Sequence, residues 1–248
     1  MEIKFVTPYG IHTYEVDFEG RVHPVALLNF LQDAAVRHAL THGFSVPDLV
    51  RKGLTWVLSR YHARIFRYPK LGEKVEVQTW PSGRQGVFAL RDFMMTGADG
   101  GTVLTATSSW MILDLKSKKP VRMDGLIPAE AVLEERALPD DFRSLPEVAE
   151  TPDPVRFPVR RQDLDFNRHV NNVVYIQWGL EAVPKDVLMS CRPSRIEISY
   201  KAEAFIGDTI LSGVREEPAG GGKERVFLHR IARESDGAEI ARLRTTWE

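Results

Sequence analysis

The sequence predicts an α+β protein in which a long helix followed by an antiparallel β meander occurs twice. Three observations carry that expectation. An apolar helical stretch beginning near residue 24 is followed by four β-rich segments, and the same order returns after residue 155. The segments VDFEGRVHPVALLNFLQDAA (16–35) and LDFNRHVNNVVYIQWGLEAV (164–183) align without a gap at an offset of 148, so that Asp17-Phe18 lies under Asp165-Phe166. Downstream, KLGEKV (70–75) matches FIGDTI (205–210) at an offset of 135, which makes the second helix-to-strand connection 13 residues shorter. An internal duplication accounts for all three.

Taken in order, residues 3–18 alternate loosely through Phe5, Val6, Ile11, Tyr14, Val16 and Phe18 and predict one or two strands. Pro24 sits where a first helical turn tolerates it. Apolar residues at 27, 28, 31, 34, 35 and 39 then mark one helix face, and Gly43 stops it. Strands are expected over 54–67, 73–80, 85–96 and 102–114, separated by YPKLGE, WPSGR and GADGG. KSKKP and a proline-rich run set residues 128–154 apart as a linker between an amino-terminal unit (1–127) and a carboxy-terminal one (155–248). In the second unit a strand near 155–160, a helix over about 171–183 and strands at 192–204, 208–216, 224–234 and 238–247 are expected. A helix wrapped by an antiparallel sheet is the hot-dog arrangement. Two in one chain make a double hot dog, with helices segregated to one face of each sheet.

Composition narrows the function. The chain has 248 residues, 43% hydrophobic and 27% charged, which suits a folded globular protein with a sizeable core. A net charge of -1 argues against a nucleic-acid-binding surface over much of the molecule. Cys191 is the single cysteine, so neither an intrachain disulfide nor a multi-cysteine zinc site can form, and a reducing cytoplasm is the expected compartment. MEIKFVTPYGIHTYEVDF lacks the pattern of a secretory or transit peptide, and no run of apolar residues is long enough to span a membrane.

Chemistry concentrates in one place. Asp165, Asn167, His169, Asn171 and Asn172 fall within eight residues at the mouth of the second helix. One Asn or Asp suffices to cap a helix, whereas this cluster adds an imidazole able to exchange protons near neutral pH. In the duplication register Glu19 stands under Asn167 and Arg21 under His169, so only the second copy carries the cluster. Asn171 and Asn172 read as helix-start residues, Tyr175 and Trp178 as core. His38 and His42 have metal-pair spacing without an HExxH glutamate or a third ligand, and PAGGGKER lacks phosphate-loop spacing and reads as a hairpin turn.

DLDFNRHVNNVVYIQW resembles the hallmark of the acyl-acyl carrier protein thioesterases, best known in plant plastids and also present in bacteria. The likeness extends over LLNFLQDAAVRHA, GLTWVLSRYHARIFRYPKLGEKVEVQTW, ATSSWMILDLKSKKPVR and IEISYKAEAFIGD, most of the chain. The resemblance implies a hydrolase that releases free fatty acid from fatty acyl-acyl carrier protein, without metal or organic cofactor. Its Asp, Asn and His fall on Asp165, Asn167 and His169, and its glutamate on Glu203 of SYKAEA. The family's cysteine after that glutamate is replaced by Ala204, so water is the expected nucleophile.

Hydrolysis needs a base for water and donors at the carbonyl oxygen. Glu203 as base with His169 polarising, and His169 as base with Glu203 orienting it, are both open at this point, with Asp165 fixing the imidazole or the Asn167 amide. Along 196–204 Glu203 shares the polar side with Glu197, Ser199 and Lys201. Either that side lines the site, or a bulge re-aims the residue, or it is a solvated strand carboxylate. Leu28, Leu31, Trp56 and Trp110 are candidates for an acyl-chain pocket in the amino-terminal unit. Lys116, Lys118, Lys119, Arg122, Arg60 and Arg64 are candidates for docking an acidic carrier protein. An acyl-CoA substrate and a non-hydrolytic acyl-binding module are the rival readings, and a homodimer is expected from the habits of the fold.

Overall fold

The computed structural model describes residues 3–123, 126, 131–218 and 223–248. The chain separates into two compact units, Met1–Asp141 and Phe142–Glu248. The first contains β1 (Phe5–Gly10), α1 (Pro24–Thr41), α2 (Val46–Val50), β2 (Leu54–Ile65), β3 (Lys74–Gln85), β4 (Phe88–Gly97), β5 (Thr102–Asp114) and β6 (Pro120–Val121). Its antiparallel sheet runs β1-β3-β4-β5-β2, with β6 paired to β5. The helix α1 begins on Pro24 and ends before Gly43, whose φ of +70° a side chain would strain. It buries Leu27, Leu28, Leu31, Ala34 and Ala35 and lies against β1 and β3.

The second unit contains β7 (Val155–Pro158), α3 (Asn172–Leu180), α4 (Lys185–Ser190), β8 (Pro193–Tyr200), β9 (Thr209–Glu216), β10 (Arg225–Arg233) and β11 (Glu239–Trp247). Its sheet runs β7-β9-β10-β11-β8, the order of the first unit repeated. The helix α3 lies against β9, β10 and β11. A Cβ on Gly179 would come within 2.9 Å of Leu243 Cδ2, so the absent side chain sets how closely α3 approaches β11. Each unit is a hot dog, and the chain is a double one. The offsets read from the sequence recur in the elements: α1 and α3 start 148 apart at Pro24 and Asn172, and β3 and β9 start 135 apart at Lys74 and Thr209.

Some local expectations are corrected. WPSGR is not a turn: β3 continues through it to Gln85, with a register shift between Pro81 and Gly83. Proline is tolerated there because β1 pairs with β3 only as far as Thr79, leaving Pro81 without a ladder partner on that side. The actual turn lies at Gly86, φ +63°. The second helix stops at Leu180, ahead of Pro184, and β8 stops at Tyr200 rather than reaching residue 204. The short elements α2, α4 and β6 had no separate signal.

Of the expected linker, residues 128–130 lie outside the described residues, as does the 127/128 boundary, and residues 132–154 form neither helix nor strand. This segment is nonetheless held down. Leu133 N–H donates to Pro81 O (2.9 Å) and Trp80 Nε1–H to Glu135 O (2.8 Å). The fully buried Asp92 carboxylate accepts from Ser82 Oγ (2.8 Å), Thr107 Oγ1 (2.6 Å), Ala137 N–H (2.7 Å) and Arg136 Nε (3.1 Å). The division into units falls within it, after Asp141. The expected PAGGGKER turn lies partly outside the described residues, at 219–222; Glu217 N–H donates to Val226 O beside it (2.8 Å).

Candidate active site

The polar cluster folds into a tight turn organised by one carboxylate. Asp165 Oδ1 accepts from the backbone N–H of Asn167 (2.8 Å) and, more weakly, of His169 (3.4 Å), while Asp165 N–H donates to His169 O (2.8 Å). Arg168 takes φ +67° at the tip. Asn171 then caps α3, its Oδ1 accepting from Val173 N–H at 3.1 Å. The same turn exists in the first unit. Asp17 Oδ1 accepts from Glu19 N–H (2.9 Å) and Arg21 N–H (3.0 Å), Asp17 N–H donates to Arg21 O (2.8 Å), and Gly20 takes φ +72°. Every atom pair is displaced by 148 residues. The turn therefore does not require Asn167 or His169.

Glu203 is delivered from the other side. Beyond β8, Lys201 N–H and Ala202 N–H both donate to Ile240 O (2.9 and 3.1 Å), two residues opposite one, which breaks the strand and turns the chain. Glu203 thus leaves the strand's alternation, and its Oε1 lies 3.1 Å from His169 Nδ1. The loop is tied to the turn by Val170 N–H donating to Ala204 O (3.0 Å). The side chains of His169 and Glu203 are 38% and 53% exposed, so their contact contributes little stability. Phe205 stands edge-on to the imidazole, centroids 5.1 Å apart. Asn167 Nδ2 donates a long bond to Asp165 Oδ2 at 3.4 Å.

The structure brings together Asn167, His169 and Glu203 around the Asp165 turn. Asp165 holds the turn and the Asn167 amide; the carboxylate on the imidazole is that of Glu203. Both units match family models, the acyl-ACP thioesterase N-terminal domain over residues 2–130 and the acyl-ACP thioesterase C-terminal domain over 147–248.

The chain belongs to the acyl-ACP thioesterase family. Among curated relatives, a palmitoyl-acyl carrier protein thioesterase of Cuphea hookeriana is 33% identical over 96% of this chain, which spans 61% of that protein's length. An oleoyl-acyl carrier protein thioesterase of Arabidopsis thaliana is 30% identical over 99% of this chain and 76% of its own. An acyl-ACP thioesterase from Bacteroides thetaiotaomicron superposes with a TM-score of 0.84 at 27% identity, covering 99% of this chain and 98% of that one. A 12:0-ACP thioesterase from Umbellularia californica gives 0.87 at 25% identity, covering 99% and 94%.

As an acyl-ACP thioesterase family member the chain departs from the expected pattern at Ala204, which is fully buried. A longer side chain there would start in the interior, not beside the exposed carboxylate of Glu203. Sequence reasoning left Tyr175 as core. It is buried, yet its hydroxyl accepts from Ala204 N–H (2.8 Å) and donates to Ala202 O (3.3 Å). Burial, opposed in part by the Ala204 N–H and reinforced by the Glu203 charge, pushes its phenol well above the ordinary range and keeps it protonated. A buried tyrosine on a helix gives no signal in sequence that its hydroxyl serves a neighbouring loop.

Other expected features are placed as follows. Leu28 and Leu31 are buried on α1, while Trp56 packs around Leu49, Ile112 and Met123 and meets Trp110 edge-on at 6.4 Å. Lys116, Lys118 and Lys119 are exposed in the hairpin between β5 and β6, where Asp114 Oδ1 accepts from Lys116 and Ser117 N–H (3.1 and 2.7 Å). Arg122 and Arg64 are exposed, and Arg60 is half-buried. His38 Nε2 and His42 Nε2 lie 2.9 Å apart in a hydrogen bond, and Arg91 Nη1 donates to His38 Nδ1 (3.1 Å). With Nδ1 held by a guanidinium and Nε2 by its neighbour, His38 has no lone pair for a metal. Cys191 ends α4, half-buried. Among the described residues no helix is long and apolar enough to cross a membrane.

Proposed function

We propose that this chain hydrolyses fatty acyl-acyl carrier protein, releasing the free fatty acid and terminating chain elongation. The observation that carries the mechanism is the 3.1 Å contact of Glu203 Oε1 with His169 Nδ1. A carboxylate at Nδ1 keeps the proton there and leaves the Nε2 lone pair as base, so His169 takes the base role and Glu203 orients it. Water attacks the thioester carbonyl carbon as its proton passes to Nε2. The tetrahedral oxyanion collapses, the C–S bond breaks, and the proton is returned to the departing sulfur. Asn167 Nδ2 carries two hydrogens, one engaged by Asp165, and the other is the donor assigned to the oxyanion. Water as nucleophile agrees with buried Ala204 in the family's cysteine position.

The names of the relatives support acyl carrier protein over CoA as the thiol, and the exposed Lys116, Lys118 and Lys119 with Arg122 form the proposed docking surface for an acidic carrier. Leu28 and Leu31, with Trp56 and Trp110, are proposed to line the acyl-chain pocket, where each buried methylene contributes about 0.8 kcal/mol. A homodimer in a reducing cytoplasm completes the reading, the compartment supported by the single unpaired Cys191.

The test is thiol release from a panel of acyl carrier protein and CoA thioesters by the wild type, His169→Ala and Glu203→Gln. Loss of kcat by about 100-fold or more in His169→Ala and about 10-fold or more in Glu203→Gln is expected, with intact circular dichroism. Full activity of Glu203→Gln removes that residue from the mechanism. No turnover by the wild type on any thioester replaces hydrolysis with acyl binding, and preference for CoA overturns the carrier-protein assignment.

A further inference from the structure

We propose that Tyr175 is a positioning residue for the reaction: its buried hydroxyl grips the peptide groups on both sides of Glu203 and holds that carboxylate against His169. This rests on the roles given to His169 and Glu203 above. The phenol donates to Ala202 O (3.3 Å) and accepts from Ala204 N–H (2.8 Å), the residues immediately before and after Glu203. Arg233 Nη2 donates to the carbonyl of Glu203 itself (2.9 Å), and Val170 N–H to that of Ala204 (3.0 Å). With Ala202 N–H on Ile240 O (3.1 Å), five bonds fix these three residues of irregular backbone, and Tyr175 supplies two of them. The anchor is itself rigid, standing edge-on to Tyr200 at 5.6 Å and tilted against Trp178 at 5.4 Å, on the helix that Asn171 caps.

The first unit shows that the fold does not demand this hydroxyl. At the offset of 148 the position of Tyr175 is Leu27, fully buried, and at the offset of 135 the positions of Glu203 and Ala204 are Tyr68 and Pro69. The loop is otherwise built alike. Val22 N–H donates to Pro69 O (2.9 Å) as Val170 does to Ala204 O, and Lys70 N–H donates to Glu73 Oε1 (2.9 Å) as Phe205 N–H does to Asp208 Oδ2 (2.9 Å). Proline has no N–H to offer, and Leu27 has no hydroxyl to receive one. The phenol and its N–H partner occur together in the copy that carries His169 and Glu203. They are absent together from the copy that does not.

The deciding variant is Tyr175→Phe, assayed with Glu203→Gln and the double variant. Tyr175→Phe is expected to lower kcat by about 10- to 100-fold with KM changed less than about twofold, because a carboxylate displaced by about 1 Å loses its alignment. Its pH–rate profile should move toward that of Glu203→Gln, and the double variant should lose no more than Glu203→Gln alone. A Tyr175→Phe kcat within about twofold of wild type, or losses that multiply in the double variant, overturns the proposal. A second variant, Tyr175→Leu with Ala204→Pro, copies the first unit and removes the N–H that would otherwise be left unpaired. It is expected to stay folded, read by circular dichroism, and still lack activity; recovery of activity would reduce Tyr175 to a structural role. Should Glu203→Gln prove fully active, the roles assigned above fail separately. The structure of Tyr175→Phe then judges Tyr175 alone, displacement of the Glu203 carboxylate from its 3.1 Å contact with His169 Nδ1 supporting it and an unchanged contact sinking it.

Discussion

His229 on β10 is fully buried, with Nε2 2.8 Å from Thr245 Oγ1, and burial lowers its pKa to about 3. The unfolded chain binds a proton on this residue near pH 6.5 and the folded one does not, so its stabilising effect is complete above about pH 6.5 and is lost progressively as pH falls toward 3. Denaturation at pH 7.5, 6 and 5 should show stability falling with acidity, and His229→Gln should remove about 1.4 kcal/mol per pH unit of that slope below pH 6.5. An unchanged slope would mean that the imidazole titrates freely in the folded protein. Part of the slope remains in the variant, because His38 is likewise lowered to about 3 by burial, the Arg91 charge and His42. At this scale the sequence was legible where polar residues crowd together. Asn167 and His169 stand out because a cap needs only one of them. Glu203 was found by resemblance, and its orientation was left open between a site-lining strand face, a bulge and a solvated carboxylate, since the strand parity that grouped it with Glu197, Ser199 and Lys201 ends three residues earlier at Tyr200. Tyr175 was invisible for the opposite reason, its hydroxyl being satisfied by backbone that sequence pattern does not record.

Among the elements, residues 132–141 are bonded down although they form neither helix nor strand. Arg136 Nε bonds the Asp92 carboxylate and its Nη2 donates to Thr107 Oγ1 (2.9 Å), while Ala137 N–H and two hydroxyls occupy the remaining lone pairs of Asp92. Removing the guanidinium leaves a buried carboxylate without its counter-charge. Arg136→Met should destabilise the first unit by about 3 kcal/mol, read by urea denaturation, and open residues 131–141 to limited proteolysis. A loss below about 0.5 kcal/mol would show that the hydroxyls and the N–H suffice. Proline spacing announced a connector and could not announce that it is bonded down, because the partners come from β3, β4 and β5, 29 to 55 residues away. For the same reason β3 outran its expected end: the pattern marks Pro81 as a breaker, and only the missing β1 partner makes it harmless.

The whole molecule is two versions of one plan, and the offsets of 148 and 135 were legible because they survive in the Asp-Phe pairs and in the glycines at Gly72 and Gly207. What differs between the versions decides where chemistry resides. Glu19→Asn with Arg21→His would rebuild the side chains of the second turn on the first, but Tyr68, Pro69 and Leu27 would still occupy the places of Glu203, Ala204 and Tyr175. In a His169→Ala background this pair of changes should restore no thiol release. Recovery to more than about 1% of wild type would show that the imidazole and amide alone suffice. The turn in each unit is made by main chain and one aspartate, which has a consequence for descent. Positions 19 and 21, and likewise 167 and 169, can change without unmaking the loop that presents them. A duplicated gene of this design holds two platforms, and the side chains presented on one are free to change while its turn persists.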